Sequence, residues 1–471
     1  MSSMAEVVVL GGSVAGLSTA LMLQKRGHRV VVLERDEPSP DDKDAAAVEW
    51  QRPSTPQLRQ SHACPARGVH IMRAELPDVV EDLVQHEAHL LSAQDMLPAS
   101  VADREPRPGD EDLVSLCFRR PVLDWALTRA ARRAGVRRVR TLARGLQMEG
   151  RRVVGVETDE ETFAGDVVVD AAGRLTKVPR WLAAAGIHVE TTRSPSGCVY
   201  LTRTYSLAGA AAPAPFAVGF ATAGPVDGFV GLVFRGDADT FTVSLQVDEH
   251  DRDLLVARDP AAFTATCSLV PWLAPWVAAG TPLTDVAVMA GLDNTSRRLV
   301  KDGQPLVAGL LQVGDSAATT NPTLGRGMSL ALVGAGLLCD VLESTSDLDE
   351  RAVHLAAARG TQIDPFVEEA WGSDERMVAQ IRARLYGESL AAKPAHPLPE
   401  EVLPFTMTDR DAWTRHARKN HVLELPATLY ADPVLAERVL AARAIPMQQP
   451  PPPVTHEECL AAARDACGAN A

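Results

Sequence analysis

Aromatic side chains are scarce in this chain: Phe, Trp and Tyr together make up 4% of its 471 residues. So few stacking surfaces turn attention from ring-on-ring recognition toward aliphatic ligands. Positive charge is short as well, with 47 Lys and Arg against 61 Asp and Glu, and the formal charge of −14 disfavours nucleic acid and anionic membrane surfaces as partners. No uncharged apolar run approaches about 18 residues, so no membrane span is expected. The first residues also lack the charged and apolar regions of a secretory leader. Seven cysteines, an odd number, stand without CxxC or Cys/His ligand spacing. That excludes a disulfide framework or a zinc site and points to free thiols in a reducing cytoplasm. Neither a Ser/His/Asp arrangement nor an internal repeat is present.

What is there suits a globular enzyme. The length and the 46% of hydrophobic residues allow two packed domains, or one enzyme fold with a large insertion. Eleven arginines between Arg119 and Arg152 run against the acidic balance. They read as a solvated helix face followed by an edge strand.

The most informative stretch is "VVVLGGSVAGLST", residues 7 to 19. A β-branched run, a glycine turn, an apolar helix and a second strand "HRVVVLERD" make a complete βαβ unit. Gly11 makes the tight turn, Ser13 stands where a pyrophosphate approaches, and Gly16 lets helix and strand pack closely. Gly12, Val14 and Ala15 complete the turn, whose helix N-terminus offers free N–H groups to phosphate. The Ser13 hydroxyl can cap the helix or donate to a phosphate oxygen. Glu34 ends the second strand 18 positions after Gly16 (34 minus 16) and is expected to accept both hydroxyls of an adenosine ribose, with Arg35 beside it. A 2′-phosphorylated nucleotide does not suit that acid, so FAD or NAD is expected.

Residues 305 to 338 choose between them. A buried strand ends at Gly314-Asp315, a loop carries Asn321-Pro322, and Gly325-Arg326-Gly327 opens an apolar helix. Asp315 can bond a ribityl hydroxyl and Pro322 can sit against a flavin ring. The N–H groups of Gly327 and Met328 direct a helix dipole at the pyrimidine end, stabilising negative charge on reduced flavin. Arg326 adds a cation there, or else forms an outward salt bridge.

These motifs resemble those of the FAD-dependent monooxygenases of the para-hydroxybenzoate hydroxylase fold, over roughly residues 5 to 345. The family's late Gly-Asp signature is Gly314-Asp315. Its middle Asp-Gly signature resembles "GDVVVDAAGRLTKVPRWL", residues 165 to 182, where two alanines separate Asp170 from Gly173. "FRRPVLDWAL" resembles the helix start that would put Arg120 near the FAD pyrophosphate. A narrower likeness is to flavin epoxidases of bacterial polyether and polyketide pathways. It lies in "PQLRQSHA", where Pro56, Gln57 and His62 match and Gln60 replaces a histidine. His62 then either lines the flavin pocket or bonds a loop carbonyl.

The resemblance implies an α/β fold with a discontinuous Rossmann-like FAD-binding domain. Its parts are expected at residues 1–190 and 299–345, around a largely antiparallel β substrate domain at 191–298, with a helical C-terminal region at 346–471. Strands are expected at 198–207, 216–223, 228–235 and 240–247. A proline run at 448–455 would join a short last helix.

The implied activity is oxygen transfer from a flavin C4a-hydroperoxide to a largely apolar small molecule, by epoxidation or hydroxylation, in natural-product biosynthesis. The tentative catalytic residues are His62 and Arg326. No second glycine turn holds a nicotinamide nucleotide, so electrons come from transiently docked NAD(P)H or from a separate flavin reductase. Alternatives are a flavin reductase acting on isoprenoid-like double bonds and a flavin-binding scaffold. The Trp272/Trp276 spacing does not match the Trp-x-Trp-x-Ile-Pro motif of flavin halogenases.

Overall fold

The structure is a computed structural model that describes residues 4–443 and 452–468. The chain opens with β1 (Glu6–Leu10), α1 (Val14–Lys25) and β2 (Arg29–Glu34). Four of the five residues of β1 are buried, which is why it reads as an unbroken apolar run. After a long excursion come α2 (Arg120–Arg133), β3 (Arg137–Arg140) and β4 (Val167–Asp170). The antiparallel strands β5 (Cys198–Ser206), β6 (Ala221–Pro225), β7 (Phe229–Arg235) and β8 (Thr240–Asp248) follow, with helix α3 (Pro260–Leu269). The chain then returns through β9 (Leu310–Gln312) to α4 (Gly327–Ser344). It finishes with α5 (Leu348–Gln362), α6 (Asp364–Tyr386), α7 (Arg410–Asn420) and α8 (His456–Gly468), among shorter pieces.

Strands from three distant segments form one parallel sheet in the order β9-β4-β1-β2-β3. Val168 pairs with both Val8 and Leu310, so the early, middle and late motifs end side by side at one edge of the sheet. In such sheets a ligand sits beyond the carboxyl ends of the strands. The arginine-rich β3 lies at the sheet edge, and α2 carries Arg120, Arg129, Arg132 and Arg133.

The second sheet runs β6-β7-β8-β5 with antiparallel pairing. Its pattern has period two, interrupted on the core face by Arg203. Val199, Leu201 and Tyr205 with Phe241, Val243, Leu245 and Val247 face a core shared with α3 and α8. Tyr200, Thr202 and Thr204 pair across the strands with Gln246, Ser244 and Thr242 on the other face. Alternation usually marks one wet face, yet every residue of β8 is buried, because the polar face is roofed by the flavin half. The chain enters and leaves this region on adjacent strands, Glu190–Pro195 and Asp293–Arg298, which pair with each other.

One expectation needs adjustment, and two others bear comment. Of the segment expected as a strand at 216–223 only its end pairs, in β6, and residues 216–220 form turns. The helix α4 is long and apolar enough to cross a membrane by length and composition, although Asp340 and Glu343 leave it no uncharged run near 18 residues. It is two-thirds buried among protein, packed on α1 and the Ala66–Glu75 helix, as a core helix. The first half of the proline run at 448–455 lies outside the described residues.

Candidate flavin site

The first turn is set by two close approaches. Gly11 has φ +100°, and a Cβ there would lie 2.5 Å from the Ala171 carbonyl oxygen, while a Cβ at Gly16 would lie 1.9 Å from the Gly11 carbonyl oxygen. Only glycine satisfies both. At position 13 no such constraint acts, which is how serine is accommodated. Ser13 does not cap α1. Its hydroxyl donates to Asp124 Oδ1 at 2.8 Å and accepts from Arg120 Nη2 at 2.9 Å.

Those contacts belong to a buried ion cluster. Arg120 Nε donates to Asp124 Oδ2 at 2.8 Å, and Arg52 spans Asp124 at 3.1 Å, Glu34 at 2.6 Å and the Gly12 carbonyl at 3.2 Å. Burial alone would raise the pKa of Asp124, but Arg120, Arg52 and the Ser13 hydroxyl hold it below the ordinary value. Glu34 Oε2 also accepts from Gly12 N at 2.9 Å, and Oε1 accepts from Asp36 N at 3.0 Å. With three protein donors already on about four lone-pair sites, Glu34 has room for one ribose hydroxyl and not for the expected two. Arg35 is exposed on an open groove shared with Asp36, Arg140, Thr141 and Leu142, beyond the ends of β2 and β3.

At the other end, Asp315 follows β9. Its carboxylate makes no hydrogen bond among the described residues, and burial raises its pKa against the pull of Arg120, Arg174 and Arg297. Arg297 braces the turn by donating to the carbonyls of Asp315, Ser316 and Arg174. The departed middle motif is structural here: Asp170 accepts from Gln312, Thr176 and the Ala172 N–H, locking β4 to β9. Pro322 opens a tight turn that ends at Gly325, and a Cβ at Gly325 or Gly327 would meet open space. The backbone leading into α4 is thereby accessible, and Met328 is buried just inside the helix.

Asp374 of α6 holds the Pro322 loop from behind. It accepts from Asn294 Nδ2 at 2.8 Å, Asn321 Nδ2 at 2.9 Å and Thr323 Oγ1 at 3.0 Å. Burial raises its pKa.

Arg326 does not take either expected position. It is buried, donates to Glu369 and the Phe366 carbonyl, and lies over the Phe366 ring. Glu369 is shared with the buried Lys419. A guanidinium between the two glycines has no solvent within reach, so it turns to the acid that α6 supplies. The expected free cation at the flavin and the outward bridge are both replaced by an inward one.

His62 makes the loop contact foreseen for it. Its Nδ1 contacts the Gln60 carbonyl at 2.9 Å, and its ring lines a small, half-open space of about 10 Å³ with Gln60, Arg120, Thr204 and Thr242. Burial, helped by Arg120, lowers its pKa to about 4, so the ring is neutral near pH 7. The lining is mixed, with Leu58, Phe118 and Pro121 beside the polar groups.

Arg52, Asp124 and Asp374 were missed in the sequence. Asp124 carried a signal, since it lies four residues after Arg120 on one helix. Arg52 and Asp374 carried none that periodicity could supply.

The donor set fits FAD: Arg120 and the α1 N-terminus for pyrophosphate, residual Glu34 capacity for ribose, unbonded Asp315 for the ribityl chain, and the α4 N-terminus for the ring. Fold and site thus define a flavin-dependent oxidoreductase. Residues 6–315 match the model of the family described as FAD dependent oxidoreductase. Protein Rv3254 of Mycobacterium tuberculosis is 30% identical over 368 residues, 72% of this chain and 73% of that protein. The chain belongs to the FAD dependent oxidoreductase family.

Solved structures of similar fold have far lower identity. PqsL of Pseudomonas aeruginosa, a probable FAD-dependent monooxygenase, superposes with a TM-score of 0.61 at 16% identity, covering 81% of this chain and 98% of its own. The flavin-dependent brominase Bmp2 gives 0.59 at 15%, covering 94% and 99%. The 2-methyl-3-hydroxypyridine-5-carboxylic acid oxygenase gives 0.57 at 17%, covering 90% and 98%.

Proposed function

We propose that the protein is an FAD-dependent monooxygenase that epoxidises or hydroxylates a small natural-product intermediate, with His62 lining the reaction chamber. The observation that carries this reading is the seam where the Gln60–His62 loop and the start of α2 meet the polar face of β5 and β8, a small, half-open space. It adjoins Arg120 of the flavin site, and the burial of β8 keeps it poor in water. The flavin, when bound, supplies oxygen activation and transfer. Arg120, oriented by Ser13, and the N-terminus of α1 fix the pyrophosphate, while Asp315 fixes the ribityl chain. Pro322 and the α4 N-terminus set the ring, and the β5/β8 sheet closes the chamber against water. Neutral His62 contributes a ring nitrogen without adding charge.

Electrons come from NAD(P)H that docks transiently or from a separate flavin reductase, since the described residues carry one strand–glycine turn–helix unit. Six buried thiols support a reducing, cytoplasmic setting.

The test mixes photoreduced holoprotein with oxygenated buffer in a stopped flow, with candidate alkenes and polyketide intermediates present. A transient absorbance distinct from reduced and oxidised flavin, with labelled oxygen in the product, is expected. Direct reoxidation with every candidate, and no labelled product, would replace oxygen transfer by simple dehydrogenation.

A further inference from the structure

The space beside His62, about 10 Å³, is too small for any substrate, so a molecule that reaches the chamber has to displace one of its walls. Helix α7 stands behind three of them. Its Trp413 and Ala417 share a core cluster with Ala63, Cys117 and Phe220. Ala63 follows His62, Cys117 precedes Phe118, and the Phe220 carbonyl accepts from the Arg235 N–H at 2.8 Å. His62, Phe118 and Arg235 all line the space. Moving α7 therefore frees the rear of each lining segment.

The helix is poorly matched to so covered a position. Its sequence, RDAWTRHARKN, has three apolar residues, yet Arg410 and Lys419 are buried with them. Four of its buried polar atoms have no hydrogen-bond partner among the described residues: Nε and Nη1 of Arg410, Nδ1 of His416 and Oδ1 of Asn420. Asn420 Nδ2 meets His416 Nε2 at 2.8 Å, and whichever way that amide is turned, one group on each side chain stays unpaired. Each unpaired group makes the closed position more costly. The C-terminal turn adds strain. The Val422 N–H donates to the Lys419 carbonyl at 3.0 Å and the Leu423 N–H to the Arg418 carbonyl at 2.9 Å, a Schellman turn whose left-handed position usually holds glycine. Here it holds Val422 at φ +61°, a β-branched residue kept there by burial with Leu330, Val333 and Phe366. Two ion pairs, Arg410–Asp110 and Asp411–Arg107, oppose these costs at the other end of the helix.

We propose that α7 is a lid that lifts as a unit about the turn at Val422 and opens the space beside His62 to the small-molecule substrate. Lifting relaxes the left-handed residue and gives water access to the unpaired atoms. Closing restores the two ion pairs and shuts water out. This role rests on the reading of that space as the reaction chamber. Opening is a local event, far less costly than unfolding the protein.

Cys117 is a built-in reporter. It is fully buried, packed with Trp413 and Ala417, and burial pushes its thiol up to about 12. Cys339, within α4, is equally buried, and its thiol is also pushed up to about 12. Holoprotein under native conditions is treated with N-ethylmaleimide, and labelling of each cysteine is followed by mass spectrometry. The reagent is itself a small molecule, so its arrival at Cys117 reports an opening wide enough for one. Cys117 is expected to react at least about tenfold faster than Cys339. Asp110→Ala, which removes one of the ion pairs, should speed Cys117 by about tenfold, the scale of one charge-assisted hydrogen bond, and leave Cys339 within about twofold. His416→Leu together with Asn420→Leu, which removes two unpaired atoms, should slow Cys117 by about tenfold. Equal rates at the two cysteines in the parent, or a ratio unmoved by both sets of substitutions, overturn the proposal. So does a rise at both cysteines together in Asp110→Ala, which marks global unfolding. Because neither substrate nor turnover enters the measurement, fast Cys117 labelling alongside failed oxygen transfer would condemn the oxygenase reading alone.

Discussion

The Arg52 guanidinium and the Glu34 carboxylate meet at 2.6 Å inside the nucleotide turn, both almost fully buried. Arg52 also serves Asp124, so one cation holds two acids that burial would otherwise penalise. Arg52→Ala should therefore cost about 3 kcal/mol of stability, as expected when one partner of a buried pair is removed. It should also weaken FAD binding. Thermal unfolding of the apoprotein and FAD fluorescence titration measure both, and an unchanged melting point would show the cluster to be dispensable.

Arg326 is neutralised by Glu369, so its charge should matter little to the flavin. Arg326→Gln is expected to lower the thermal midpoint while leaving the flavin potential within about 30 mV, equivalent to about 1.4 kcal/mol for a two-electron couple. A larger shift in a dye-coupled titration would return the guanidinium to an electrostatic role at the ring.

Three donors converge on Asp374 from the strand and loop behind Pro322. Asp374→Asn would set an amide N–H₂ against at least one of them, at a cost of about 1–3 kcal/mol. The expected result is looser FAD retention with the βαβ turn intact, seen as a raised dissociation constant. Unaltered retention would show that the C-terminal region does not steady the flavin loop.

Acid sensitivity follows from His421. Burial lowers its pKa from 6.5 to about 4, and Nδ1 accepts from the Ala66 N–H at 3.1 Å. Between those values the unfolded chain binds a proton that the folded chain refuses, so stability rises with pH across the window. At pH 5 the loss is about 2 kcal/mol relative to pH 8. His421→Gln, which keeps an acceptor, should make the melting temperature fall less steeply between pH 7 and pH 5, with buried His62 and His416 supplying the remaining slope. A slope as steep as the parent's would place the proton elsewhere.

What could be read in advance was whatever local physics dictates. The β1–α1–β2 unit was legible because buried parallel strands are continuously apolar and because Gly11 and Gly16 have no alternative. The alternation in β5 and β8 was legible too, but not that its polar face would be covered, since burial there depends on a loop some 140 residues earlier. The position of Arg326 was misjudged because Glu369 and Lys419, its actual surroundings, arrive from helices that no short-range pattern connects to it. Likewise Glu34 was identified as a site residue while Arg52, which occupies part of its capacity, was not.

The pairing of Val168 with Leu310 has a consequence for assembly. The two residues are 142 positions apart (310 minus 168), and the strand order leaves β9 at the outer edge. Contacts of such separation form slowly, and synthesis delivers the N-terminal side first. The phosphate end of the site is therefore complete in the growing chain long before the ring end exists. Cofactor capture is an event of the finished polypeptide, and a chain cut before Gly327 carries half a cradle.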